Sequence, residues 1–240
     1  MKDTMMTGWE KKRTWVNTTV KPRGLSFGIL LDDEFLQTPK KNKVLLPTRK
    51  LAQKVAEEWR RQKEIIDPTK MPYTRLANSA LDTVKESFDT VVADVLDYGD
   101  TDLVCYRADS PEDLVKLQNK HWDPILDWAK NQFKIEVKIT NGINYKAQDP
   151  VQLRKLSREI SSYNFFTLTG FYDLVTISGS LLIALAVYYS HVSLKRGFDI
   201  SFLDEDWQRK KWGQDEESIK NRANKFEEFQ IAFNFLSLLA

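Results

Sequence analysis

The chain has 240 residues, 42% of them hydrophobic and 12% aromatic, with only 9 glycines and 8 prolines; that is enough apolar material to offset the entropy of ordering the backbone, and it excludes a disordered chain. Its 36 basic and 34 acidic residues are interspersed and leave a net charge of +2, which argues against nucleic acid or an anionic membrane as partner. The single cysteine, Cys105, rules out an internal disulfide and no secretory signal opens the sequence, so a cytoplasmic setting is expected; a mitochondrial matrix comes second, because residues 1–8 are short, contain an acid and lack the bias of a transit peptide.

Residues 11–47 read as short β-rich runs (RTWVNTTV, LSFGILL, EFLQT, KVLL) separated by turn signals at Lys21-Pro22-Arg23-Gly24, Asp32-Asp33 and Pro39. A small antiparallel meander is expected, with the alternation over residues 14–20 giving it one covered and one wet face. From Thr48 the period becomes helical: Leu51, Ala52, Val55, Ala56 and Trp59 share a face, and Thr48 is placed to cap it. Residues 67–72 break that helix. A second periodic stretch, from Leu76 through Phe88 to Val95, reads as one helix ended by Tyr98-Gly99-Asp100. Ser110-Pro111-Glu112-Asp113 announces a third, with proline at the first helical position, running to about Phe133.

Residues 135–147 carry an Asn141-Gly142 turn signal and read as a hairpin or an irregular crossover. Two helices follow, at 150–163 and over the apolar stretch 171–189. The latter is nearly long enough to span a bilayer, but Asp173 within it favours a buried core helix, whose Ser178, Gly179 and Ser180 would admit a close neighbour. Gly197 makes a break possible, and residues 204–235 read as a charged amphipathic pair or one long helix. The expected fold is α+β: a β-rich amino-terminal domain over residues 1–47 and a larger, mainly helical domain over 48–240.

The search for chemistry finds no HExxH, CxxC, Walker A, GxGxxG or GxSxG signature, so neither a metal, a cofactor nor a catalytic residue is expected. His121 and His191 stand far apart, and Cys105 has no evident activating base. The richest constellation is Asp204-Glu205-Asp206 with Asp215-Glu216-Glu217, interleaved by Trp207 and Trp212. It reads either as a solvated acidic helix with tryptophans anchored in the core, or as a docking surface in which aromatics sit beside a charged rim. An enzyme would instead need carboxylates and cations gathered in a pocket around Asp102, Arg75 or Arg107.

Six runs resemble the ATP synthase alpha-subunit assembly chaperone family of mitochondria and alphaproteobacteria: LLPTR from Leu45, IDPTKMPYTRLANSALD from Ile66, YGDTDLVCYR from Tyr98, HWDPILDWA from His121, SGSLLIALA from Ser178, and LDEDWQ followed by WGQDEE. The resemblance implies a non-catalytic, cofactor-free protein, monomeric when free. It would bind the unassembled alpha subunit of the catalytic sector and prevent its aggregation until the beta subunit displaces it. It also points to Glu216, just after the Trp-Gly pair, as the important acid, and to an alphaproteobacterial cytoplasm. A scaffold for another complex is the remaining alternative.

Overall fold

The computed structural model describes residues 12–142, 144–213 and 215–240; the leader reading of residues 1–8 lies outside them. The chain divides into two compact units, one formed by the described residues up to Thr83 together with Leu238–Ala240, the other by Val84–Ser237.

In the first unit β1 (Thr18–Arg23) pairs antiparallel with β2 (Ser26–Leu31), which on its other edge carries both β3 (Glu34–Phe35) and β4 (Leu45–Leu46). The expected meander is therefore corrected: β4 returns to the start of β2 instead of pairing with β3. β1 also runs through Pro22, which edge strands tolerate, and the chain reverses at Gly24-Leu25. Upstream, the strand begins only at Thr18, because the Asp32 carboxylate takes the N–H groups of Val16 and Asn17 and bends the chain there.

Helix α1 (Arg49–Arg61) starts where expected: the Thr48 hydroxyl oxygen accepts from Leu51 N–H, while the hydroxyl donates to Leu238 C=O at 2.5 Å. Leu51, Ala52, Val55 and Ala56 are fully buried against the sheet. Glu58 on the same helix caps α2 (Pro72–Ser79) from outside, accepting from Tyr73 N–H, Thr74 N–H and the Thr74 hydroxyl at 2.6–2.8 Å. Burial pushes the Glu58 carboxyl up, opposed by those bonds.

The single helix expected from Leu76 to Val95 is two. A π turn (Ala80–Val84) and a break at 85–87 separate α2 from α3 (Phe88–Asp100). The physical reason is Asp82: its carboxylate takes the Thr38 hydroxyl, Lys40 N–H and Asn42 side chain, and its carbonyl takes the Lys40 ammonium at 2.7 Å, so this turn bonds across the fold instead of along the helix.

The second unit centres on α6 (Phe165–Ser178) and α7 (Leu181–Tyr188), which together replace the one core helix expected over 171–189. Gly179 adopts φ 66°, a left-handed cap that glycine takes without strain, and Ser180 caps α7 by accepting from Ile183 N–H. Every residue of α7 from Leu181 to Val187 is buried. Around this centre lie α3, α4 (Glu112–Phe133), α5 (Pro150–Ser161), α8 (Leu194–Ser201) and α10 (Glu216–Ser237), with α9 (Leu203–Trp212) against α4. Pro111 holds the cap position of α4, and no side chain caps it, correcting the placement of proline inside the first turn.

No hairpin forms at Asn141-Gly142: β6 (Thr140–Asn141) pairs parallel with β5 (Tyr106–Arg107), so the segment is a crossover. Nor does Gly197 break α8. It is buried where α8 meets α7, and a Cβ there would lie 2.1 Å from Val187 Cγ2. No helix among the described residues is long and apolar enough to cross a membrane.

Candidate functional site

The acidic and aromatic cluster falls on two helices joined at Gly213-Gln214-Asp215. Asp204, Glu205 and Asp206 occupy the first turn of α9 and Arg209, Lys210 and Lys211 its last, the arrangement that the helix dipole favours. Asp215 opens α10 by accepting from Ser218 N–H at 2.6 Å, and Glu216 and Glu217 sit in the first turn.

The eight predicted residues divide by what they touch. Asp204 is half-buried and accepts both its bonds from Gln118 Nε2, at 2.9 and 3.1 Å; burial raises its pKa, against the Gln118 bond and the charge of Arg107. Asp206 is bound by Arg209 and by Arg222, which also reaches Asp199 at 3.0 Å and lies over the Phe198 ring. These two carboxylates hold α9 to α4, α8 and α10. Trp207 Nε1 donates to Asp113, which also pairs with Lys211 at 2.9 Å and accepts from Leu114 N–H; Lys211 and Trp207 hold the Asp113 carboxyl below the usual range. Trp207 in turn meets Trp212 edge to face at 6.1 Å.

Glu205, Asp215, Glu216 and Glu217 are exposed, and Trp212 is 76% exposed. The reading of Trp207 and Trp212 as core anchors is therefore corrected, since Trp207 is half-exposed and Trp212 stands on the surface. Sequence reasoning missed Asp113, Gln118 and Arg222, the supports of this surface; only their charge or amide hinted at a role.

Asp102 and Arg107, two of the groups sought for an enzyme's pocket, are engaged by the fold itself. Asp102 is wholly buried and fully engaged by Ser180 Oγ, Leu182 N–H and Val104 N–H at 2.6–3.2 Å. Arg107 bonds Val104 C=O and Asn119, lies over Trp122 and pairs with Asp123 at 2.9 Å; Arg75 is exposed on α2, in the other unit. Cys105 is buried, and desolvation with the nearby Asp102 charge pushes its thiol well up. His191 stacks on Trp128, and His121 contacts Arg196; its pKa is lowered by burial and by the charges of Arg196 and Lys120. Among the described residues no group of three His, Cys, Asp or Glu could hold a metal.

The structure thus leaves one exposed aromatic ring beside exposed acids, on helices held from behind by ion pairs. The comparisons agree on the class. A crystal structure of Atp12 from Paracoccus denitrificans matches at 41% identity over 95% of this chain and 98% of that one, with a TM-score of 0.91, and an aspartate-to-lysine variant of that protein matches at 40% with the same score. A candidate chaperone from Agrobacterium tumefaciens matches at 33% identity over 96% of this chain and 87% of its own, again with a TM-score of 0.91. These define an assembly chaperone. Residues 12–130 match the family described as ATP12 chaperone protein, and the chain belongs to that family, which serves ATP synthase assembly.

Proposed function

We propose that this protein binds the unassembled alpha subunit of the ATP synthase catalytic sector, as a monomer and without catalysis, and keeps it from aggregating until the beta subunit displaces it. The setting is the cytoplasm of an alphaproteobacterium. The observation that carries this reading is the exposure of Trp212 at the end of α9 and of Asp215, Glu216 and Glu217 at the start of α10, in a chain of chaperone ancestry. Such a surface offers an aromatic anchor and a charged rim to a client, and competition by a larger complementary surface suffices for release.

The test is suppression of alpha-subunit aggregation by the purified protein, followed by addition of beta subunit. Suppression that beta reverses supports the reading; an alpha subunit that aggregates unchanged overturns it. Within this assay Glu216→Lys is expected to weaken suppression about tenfold or more by reversing a rim charge, while unfolding in urea stays unchanged. Trp212→Ala should likewise lose suppression, with stability held within about 0.5 kcal/mol because the ring is a surface group. A large stability loss would return Trp212 to the core.

A further inference from the structure

A second surface of the Val84–Ser237 unit is defined by its backbone. The chain leaves α4 at Lys134, φ 55°, and runs to β6 without regular secondary structure. Along this run the hydrogen bonds fall on alternate residues: Glu136 N–H donates to Gln152 Oε1 at 3.2 Å, Lys138 N–H donates to Gln148 Oε1 at 2.7 Å, and Lys138 C=O accepts from Gln148 Nε2 at 3.0 Å. Side-chain burial alternates with them over residues 135–138, Ile135 buried and Val137 half-buried, Glu136 and Lys138 exposed, and the alternation ends at the exposed Ile139. That is the bonding alternation of an extended strand edge, with two glutamine amides standing in for its neighbour.

In a strand the groups of the intervening residue face the other edge. There the N–H and C=O of Val137 have no hydrogen-bond partner among the described residues. That edge borders a cleft of 340 Å³ whose opposite wall is α4. Leu126, Val137 and Ile139 supply its apolar surface, and Ile139 is 50% exposed. Its rim carries Asp123, Asp127 and Glu136; Lys130 pairs with Glu136 and Arg107 with Asp123, so the balance at the rim is one negative charge.

Unpaired backbone groups beside an apolar cleft form a template for one more strand, whereas a docked helix would leave them unsatisfied. We propose that an extended segment of the client, alternating apolar and basic side chains, adds to the Val137 edge as a strand within this cleft. The identity of the client rests on the chaperone reading; the form of the segment rests on the edge. An acidic rim disfavours a second copy of the same cleft and favours lysine or arginine flanks. The Lys130–Glu136 ion pair, 2.8 Å long and exposed on both sides, crosses the rim, and so exposed a pair opens at small cost.

The test is amide hydrogen exchange on the full chain with three probes: an alternating Val/Lys octapeptide, the same peptide N-methylated at alternate residues, and the unassembled alpha subunit. The octapeptide and the alpha subunit are each expected to slow exchange at Val137 about tenfold or more, and the N-methylated peptide to leave it unchanged, because it cannot supply the ladder bonds. Leu126→Glu should abolish the protection while exchange in α6 and α7 stays slow, showing the fold intact. Unchanged exchange at Val137 under saturating octapeptide, or equal slowing by both peptides, overturns the strand. An alpha subunit kept soluble while Val137 still exchanges freely overturns this contact and leaves the chaperone reading standing. An alpha subunit that is not captured, with the octapeptide still protecting Val137, overturns the client and leaves the strand site.

Discussion

Asp102→Ala is expected to lower folding stability by about 4 kcal/mol, read as a shift of the urea unfolding midpoint. The carboxylate is wholly buried and receives the Ser180 hydroxyl, Leu182 N–H and Val104 N–H. Alanine leaves these donors in a dry interior, where each orphan costs about 1–3 kcal/mol. It also frees the amino end of α7, the most apolar helix of the unit. The same group makes stability depend on pH. Burial pushes the Asp102 carboxyl from 3.8 up to about 6, opposed by its hydrogen bonds. A folded-state value above the unfolded one means that the folded chain holds the proton more tightly. The associated stability is thus fully present below the unfolded value and is lost as pH rises through the folded one, by about 3 kcal/mol in all. Asp102→Asn removes the titration, so its midpoint should change less than that of the parent chain between acid and neutral pH. Parallel pH profiles would show that Asp102 ionises at its ordinary value.

Gly197→Ala is expected to destabilise by about 2 kcal/mol, the opposite sign from the roughly 1 kcal/mol gain that helix propensity gives this exchange at a free helical position. The added carbon would lie 2.1 Å from Val187 Cγ2, in a contact between α7 and α8 where both residues are fully buried or nearly so. Val187→Ala alone should cost about 1–2 kcal/mol by leaving a void. Together the two changes should cost less than their sum, by about 1 kcal/mol or more, because each relieves the other. Strict additivity would show that α8 shifts to accommodate the methyl group.

Gly197 also shows where sequence reading reaches its limit. A glycine inside a periodic stretch marks either a break or a close approach, and only the packed neighbour distinguishes them. The run from Ser178 to Ser180 poses the same problem within the apolar segment. A left-handed glycine followed by a capping serine ends one helix and begins another, but hydrophobicity is uniform across the junction and the period does not reveal it. Asp82 hides its role for a different reason: its partners, Thr38, Lys40 and Asn42, lie 40–44 residues upstream. By contrast α1, with its cap and periodic face, was fully legible because every signal is local.

The candidate surface was legible in composition and hidden in arrangement. Acids and tryptophans at 204–217 stand out on inspection, but Asp204 is tied by a glutamine 86 residues away and Trp207 by an aspartate 94 residues away. Their separation from the exposed Glu205, Trp212, Glu216 and Glu217 is a fact of tertiary packing. The run around Val137 was legible as a hairpin or a crossover, but its unpaired edge was not, since unpaired backbone has no residue type.

The deep burial of Cys105 makes the chain its own blank for site-specific labelling. With one thiol in the whole sequence, 1% exposed and disfavoured as thiolate, maleimide should react with the native protein only through opening of the core around it. A new cysteine at an exposed position such as 216 would therefore carry the only fast-reacting probe, without first removing the native one. The slow reaction at Cys105 would then serve as an internal clock for opening in the same sample, so that docking of a client and loosening of the fold are read on separate timescales.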